Sequence, residues 1–315
     1  MHIFIAKRLL VAIPTLLLVS VFVFLLQKLL PGDPILALAG EERDPAVLEA
    51  LRAQYGFNDP IYQQYFRWIG KALTGDLGIS LRTGQPVTEL IAQKLPVTMQ
   101  LAVMALIIAF IIGVPAGIYA AIRKRRMGDY ASNFLALAAL SVPNFWLGIM
   151  LIMLVSVQLK WLPASGFVSP WSDFWLSMKT MIMPAVVLAT GLAATLLRHT
   201  RSSMMGVLKS DYIRTARAKG LSGTSVVVGH AFRNAVLPVI TLTALLFGEL
   251  LAGAVLTEQI FTIPGFGKLI VDAVFTRDYA VVQGVVLCTA AGFILLNIVA
   301  DVLYVLLNPR LRSQL

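Results

Sequence analysis

Residues able to do chemistry are sparse in this 315-residue sequence. The three histidines, His2, His199 and His230, are far apart and lie at the edges of apolar runs. No H-E-x-x-H helix could hold zinc, and no G-x-S-x-G turn could present a nucleophile. No aspartates are paired at metal-ligand spacing. The phosphate-cradling pattern G-x-x-x-x-G-K-[ST] is missing too, since Gly267-Lys268 has Thr262 where the first glycine belongs. If ATP drives this protein, another subunit binds it and its Mg. No catalytic residue, metal or cofactor is expected in the chain itself. Two acids, Glu249 and Asp301, fall inside apolar runs. An ionisable side chain is costly in hydrocarbon, so both should face protein or water. Glu249 is in mid-run and is the stronger site candidate; Asp301 is close to a basic tail and is expected to pair structurally. A further irregularity is Ser141-Val142-Pro143-Asn144-Phe145-Trp146. Proline frees a backbone carbonyl, and irregular backbone at membrane depth is tolerated only where protein or a water cavity covers it. Ser141, Asn144 and Glu249 are therefore candidate pathway-lining residues, with a purely structural kink as the alternative at Pro143.

The elements that must position these groups are membrane helices. The chain is 58% hydrophobic and 13% charged, against about 25% charged in a soluble domain. It reads as an all-α polytopic membrane protein. A net charge of +10 could suggest nucleic acid, but the basic residues cluster at the ends of apolar runs, and no nucleic-acid partner is expected. The single cysteine, Cys288, lies in an apolar run and should pack as a small hydrophobe. Six runs are expected. The first extends from about Leu9 to Leu26. Ala37-Leu38-Ala39 resembles a signal cleavage site, but the run exceeds the 7–15 residues of a signal core and Pro31-Gly32-Asp33-Pro34 intervenes. It reads as a retained helix. The others cover about Pro96–Ile122, Tyr130–Leu159, Met181–Leu197 (with Pro184 inside), a fifth ending near Leu256, and Val281–Leu307.

Three regions are expected: 1–29 as a start and first helix, 30–95 as a folded helical cap outside the membrane, and 96–315 as a five-helix core with a polar loop at 198–238. In the cap, Asp44-Pro45 and Asp59-Pro60 each read as a helix cap followed by a first-turn proline. Apolar residues then recur at helical spacing, and Gly56 and Gly75 close the helices. Its aromatics are expected to pack on one another. Trp161, Trp171 and Trp175 suit a membrane–water interface. Of the 26 Lys and Arg residues, two lie at the N-terminus, four in 123–126, seven in 198–238 and two in the tail, where only Asp129 and Asp211 oppose them. Cytoplasmic loops carry the Lys/Arg excess. Both termini should be cytoplasmic and the 30–95 cap external.

The longest basic-side polar interval is 210–240, SDYIRTARAKGLSGTSVVVGHAFRNAVLPVI. Ser210 or Asp211 can cap a first helix, and Gly220 can end it. Ser222 can cap a second helix reaching about Asn234, and Pro238 stands where a first-turn proline would open the next membrane helix. A short helix held on a glycine break is shaped to dock into a partner, with Tyr212, Ile213 and Ala216 aimed at it. An amphipathic helix lying on anionic lipid fits the same residues.

At this point the residues carry a resemblance. Asp211-Tyr212-Ile213-Arg214-Thr215-Ala216-Arg217-Ala218-Lys219-Gly220, followed by His230-Ala231-Phe232-Arg233-Asn234-Ala235, resembles the cytoplasmic "EAA" loop of ABC importer permeases, in the spelling of the dipeptide/oligopeptide/nickel branch. Pro31-Gly32-Asp33-Pro34, Val142-Pro143-Asn144-Phe145-Trp146, Ile263-Pro264-Gly265-Phe266-Gly267, Arg277-Asp278-Tyr279 and Asn308-Pro309-Arg310 are similar to that branch, in order, over nearly the whole chain. Arg214 stands where the general motif has glutamate, and Leu237-Pro238 falls later after Gly220 than in that motif. The resemblance implies a type I ABC importer permease fold in the bacterial inner membrane. It implies one of two different permease subunits in a heterodimer, two cytoplasmic ABC ATPase subunits that bind ATP and Mg, and an external solute-binding protein. Residues 211–220 would engage the ATPase, and the cargo would be a dipeptide, oligopeptide, glutathione or nickel chelate. A different class, an ion-coupled secondary transporter or channel, would need a relay of embedded ionisable residues and often inverted repeats. Six runs could split three and three, but one central acid is a thin relay and no matching broken pair is visible. A membrane enzyme would need a catalytic constellation that is absent.

Overall fold

The structure, a computed structural model, describes residues 2–29, 35–36 and 44–307. Pro31-Gly32-Asp33-Pro34, Ala37-Leu38-Ala39 and the tail from Asn308 lie outside the described residues. Among the described residues the fold is helical, with a lone bridge between Ile79 and Pro86. The helices are α1 (His2–Leu29), α2 (Pro45–Tyr55), α3 (Ile61–Leu73), α4 (Val87–Ile122), α5 (Met127–Ser141), α6 (Asn144–Leu151), α7 (Phe174–Val207), α8 (Asp211–Ala218), α9 (Arg233–Gly253), α10 (Val255–Ile260), α11 (Phe266–Thr276) and α12 (Tyr279–Leu307). Two wider-wound π segments occur, Ile152–Gln158 after α6 and Ser225–Phe232 before α9.

Five helical stretches among the described residues are long and apolar enough to cross a membrane: Ala6–Lys28, Val87–Ile122, Phe174–Val207, Ser225–Leu251 and Tyr279–Val302. A sixth is the bent pair Met127–Ser141 with Asn144–Gln158, if the pair is one span, and it turns through 93° at the break. The third expected run is thus two helices. The cause is local. A residue preceding proline is pushed out of the helical region, and Val142 is extended (φ −81°, ψ 121°). Pro143 then occupies the position before the first turn of α6.

Several helix bounds differ from the sequence expectation. α4 starts at Val87 rather than near Pro96, because Val87, Leu90 and Ile91 are buried in their own core cluster. α7 outruns the expected Met181–Leu197 at both ends, with the Asp173 carboxylate accepting from the Leu176 N–H at 2.9 Å as its cap. Pro238 does not open a helix but lies inside α9, which continues from the 225–232 segment without a break at Asn234. Ala231, Ala235 and Val239 are fully buried, and this burial holds the helix through the proline.

The described residues fall into two compact units, one of 99–263 with 295–307, the other of 2–29, 35–36 and 44–98 with 264–294. In the second unit, Asp44 caps α2 by accepting from Ala46 N–H at 2.9 Å, and Gly56 ends it at φ 70°. Asp59 does not cap α3; Pro60 takes the cap position, and Asp59 pairs with Arg67 instead. The aromatics of 30–95 do pack on one another, Tyr65 with Phe66 at 5.5 Å and with Trp68 at 6.1 Å between centroids, and Tyr65 and Trp68 also meet Phe24 of α1. The core of this unit gathers Leu77, Val87, Phe266, Val281 and Val285, with Cys288 packed against it as a small hydrophobe. Asp278 is buried and accepts from the Ser80 hydroxyl and from the Leu81 N–H at 3.3 Å. The Arg277-Asp278-Tyr279 motif therefore fastens the 78–86 loop.

In the first unit α7 is the hub. Of its most apolar window 72% is buried, against 11% for that of α12. Gly113 and Gly117, four residues apart on α4, let α7 approach. A Cβ on Gly113 would stand 2.5 Å from the Ala193 carbonyl oxygen, and one on Gly117 2.6 Å from that of Leu197. Small residues at this spacing allow close helix crossings in membranes. The obstructing atoms are backbone, so a larger residue must part the helices. Gly117→Val is expected to destabilise the subunit by about 1–3 kcal/mol, the usual range for overpacking. The check is the unfolding temperature in detergent beside Gly206→Ala, where a Cβ meets nothing within 4 Å. Equal stability of the two variants would refute the close approach.

Candidate functional site

The 198–238 interval is mostly helix. α7 continues through Val207, a turn intervenes, and α8 covers Asp211–Ala218. Ser210 holds the cap position of α8, yet neither its side chain nor that of Asp211 makes a capping hydrogen bond. Asp211 is a first-turn acid 3.5 Å from Arg214, both strongly exposed; such pairs contribute little. The end of α8 is as the sequence implies. Gly220 has φ 79°, with Gly220 N–H on the Arg217 carbonyl at 3.0 Å and Leu221 N–H on that of Ala216 at 3.4 Å. Ser222 caps the helical segment leading to Phe232, its hydroxyl accepting from the Ser225 N–H at 3.3 Å.

The orientation of α8 corrects the sequence expectation. Ile213 is fully buried and Ala216 nearly so, packed with Met204, Val226, Ala231 and Ala235. They face the chain, not an external partner, because residues three apart share a helix face and this face covers the apolar side of the 225–235 helix. The outward face is Asp211, Tyr212, Arg214, Thr215, Arg217 and Ala218, with Lys219 and Gly220 exposed beyond it. Tyr212 is 43% exposed. Its hydroxyl accepts from the Asn234 side-chain amide at 3.0 Å, and that amide also donates to the His230 carbonyl at 3.2 Å.

An ion pair unread in the sequence ties the α5 start to the α7 extension. Arg201 donates from Nε to Asp129 Oδ1 at 2.6 Å and from Nη2 to Oδ2 at 2.8 Å. Asp129 also accepts from the Arg125 N–H at 3.0 Å and the Asn133 amide at 2.8 Å. Its side chain is only 4% exposed. A single acid following four basic residues is the available signal.

Of the three pathway candidates, two come together. Asn144 and Glu249 line one cavity of about 230 Å³ with Thr195, Gly191 and a wall of Leu140, Leu188 and Leu246. Ser141 is not among them; its hydroxyl donates to the Leu137 carbonyl at 2.9 Å. No hydrogen bond or ion pair reaches the Glu249 carboxylate among the described residues. Asp301 is half-buried and has a partner. No cluster of His, Cys, Asp or Glu among the described residues could hold a metal ion.

The comparisons settle what kind of chain this is. Residues 113–313 match the family described as binding-protein-dependent transport system inner membrane component, and residues 1–102 match its N-terminal counterpart. The chain belongs to this family. It is 44% identical over 311 residues, 99% of each chain, to the glutathione transport system permease protein GsiC of Escherichia coli strain K12. It is 43% identical, with the same coverage, to the protein of that name from Shigella boydii serotype 4 strain Sb227. Its fold is similar to a chain of the MetNI methionine ABC transporter in inward-facing conformations, with TM-score 0.56, 14% identity, and coverage of 70% of this chain and 96% of that one. This family member is a multi-pass inner-membrane permease subunit of an ABC importer with the type I fold. ATP hydrolysis falls to separate subunits, and the ion-coupled alternative is set aside.

Removing one partner of a buried ion pair leaves the other charge uncompensated, at about 3–5 kcal/mol. Asp129→Ala should therefore lower the unfolding temperature in detergent sharply, and Asp129→Ala with Arg201→Ala should recover part of the loss. A double variant no better than the single one would show that the pair is not coupled.

Proposed function

We propose that this chain is one of two different permease subunits of a type I ABC importer that moves peptides or related small solutes. Two cytoplasmic ATPase chains, carrying ATP and Mg, act from one side, and a solute-binding protein delivers cargo from the other. The observation that supports this most is near full-length similarity to permeases named for glutathione transport, glutathione being itself a small peptide. On this reading residues 211–220 are the coupling element. The exposed Tyr212, Arg214 and Arg217 meet the ATPase, and the buried Ile213 and Ala216 pass its motion to α7 and α9. Asn144 and Glu249 line the translocation pathway. The termini and 198–238 are cytoplasmic, and 30–95 is an external cap on a core of 96–315.

The positive φ of Gly220 carries the test of coupling. A Cβ there meets nothing within 4 Å, so substitution acts through backbone conformation alone. A β-branched residue is strained in that region, at about 1–3 kcal/mol. Gly220→Val should insert and pair with its partner permease, because membrane spans depend on their own apolar length. It should lose co-purifying ATPase chains, or keep them and hydrolyse ATP without transport. Asp211→Ala should be nearly silent, since no cap is lost. In the same vesicles Glu249→Leu should reduce transport with assembly intact. Full ATPase recovery and normal coupled transport in Gly220→Val would return 211–220 to the lipid-surface reading, and normal transport by Glu249→Leu would remove Glu249 from the pathway.

Orientation has its own check. In a Cys288→Ala background, single cysteines replacing Gln54 and Arg217, both exposed, should react with membrane-impermeant reagents from opposite sides of the membrane. Labelling from the same side would overturn the six-span topology.

A further inference from the structure

The second unit contains a cavity that the importer reading leaves unused. It has a volume of about 350 Å³ and lies among the end of α1, the α2–α3 turn, one face of α3, the 76–81 loop and the start of α12. Ligand pockets of small molecules begin at about this size and are mostly apolar with a few placed polar groups.

The wall is largely aromatic, with Phe24, Tyr55, Phe57 and Trp68 in the lining. Two lining residues keep a polar atom buried without any hydrogen-bond partner, Gln27 at Oε1 and Trp68 at Nε1. Gln27 is only 5% exposed. An unmet acceptor and an unmet donor in one wall are each costly; both atoms are shielded as packed, so a ligand meets them only when these side chains turn toward the cavity. Together they match one amide group, which offers a carbonyl to the indole N–H and an N–H to the glutamine oxygen. Charge of both signs is also present. Lys28 Nζ donates to the Gln64 side-chain oxygen at 2.6 Å and lies over the rings of Phe24 and Phe57, at 5.6 and 5.1 Å from their centroids. No carboxylate is paired with it among the described residues. Arg67 in the same lining is already neutralised by Asp59, and Lys71 stands at the exposed rim, while Lys28 is the half-buried cation over the aromatic rings. Asp76, also in the lining, accepts one bond from the Gly78 N–H at 2.8 Å and keeps a second carboxylate oxygen for another donor.

We propose that this cavity is a binding site for a short zwitterionic peptide, with its free carboxylate at Lys28, its ammonium at Asp76, a backbone amide at Gln27 and Trp68, and an apolar side chain on the aromatic wall. The proposal rests on the importer reading in its choice of a peptide as ligand, and on the external placement of 30–95 for its place beside cargo release. The site belongs to the permease itself and needs no solute-binding protein to form.

The experiment is equilibrium dialysis of the complex purified through this chain, in nanodiscs and without solute-binding protein, against a labelled tripeptide of alanine, alanine and phenylalanine. Saturable binding is expected. Amidating its C-terminus or acetylating its N-terminus should each weaken binding about tenfold, the loss of one charge-assisted contact. Lys28→Met should weaken the acid as much and make the complex indifferent to amidation. Gln27→Leu should weaken both forms. The ligand series does not depend on any variant folding. No saturable binding, or equal binding of the acid, the amide and the acetylated peptide, would overturn the site. So would displacement by phosphatidylglycerol, which would assign the cavity to a lipid headgroup. Failure of the importer reading shows separately, as ATP hydrolysis that no solute-binding protein stimulates in a complex that still binds the tripeptide.

Discussion

The side chain of Ile213, wholly buried among Met204, Val226 and Ala235, determines what α8 can do. Eight residues are too few to hold a helix in water on propensity alone, where isolated helices below about 12–15 residues are marginal. The helix exists because Ile213 and Ala216 present one apolar face to the α7 extension and to the wide-wound segment before α9. The Tyr212–Asn234 hydrogen bond fixes its rotation at the other edge. A displacement of α8 cannot leave α7 and α9 in place without opening this cluster. α7 is in turn joined to α4 at the two glycines and to α5 through Asp129 and Arg201. Force on a small polar surface thus enters a helix that is packed on nearly every side.

This arrangement also separates two faces that the sequence had merged. Tyr212, Ile213 and Ala216 read as one docking group when the segment is taken as a lone helix standing off the membrane. The helical period already divides them, since 213 and 216 share a face and 212 does not. What the sequence lacks is the identity of the covering surface, because Met204 and Ala235 belong to stretches that read as a polar loop and as the approach to a membrane helix. The outer face left after burial is short, basic and amphipathic in a different sense: one tyrosine among charged residues.

Legibility elsewhere depended on the range of the interaction. Apolar length alone located the spans, and local backbone chemistry located the Asp44 cap, the Gly56 and Gly220 turns and the break before Pro143. Prolines misled where distant packing was stronger than the lost hydrogen bond, at Pro96 and Pro238, both inside helices. Asp129 was visible only as a charge to be counted, since its partner is 72 residues away. The glycine spacing at 113 and 117 is a local signal, but its meaning depends on Ala193 and Leu197 being opposite.

The break at Val142 and Pro143 joins backbone and site. It interrupts hydrogen bonding in a segment long enough to span a bilayer, and in hydrocarbon such groups must find partners or water. The first amides of α6 begin at Asn144, and the earliest of them to bond within the helix region is Leu147 N–H, on the Pro143 carbonyl at 3.0 Å. Open amides at a helix start carry partial positive charge and favour an acid nearby. Asn144 lines the same cavity as Glu249. The bend that costs helical hydrogen bonds therefore brings the polar Asn144 into the cavity that Glu249 lines. Without the break, Thr195 would be the polar side chain left to Glu249 among leucines, in a setting where an unpaired charge is expensive. The break thus adds Asn144 and the start of α6 to a cavity that otherwise offers Glu249 only Thr195 and an apolar wall.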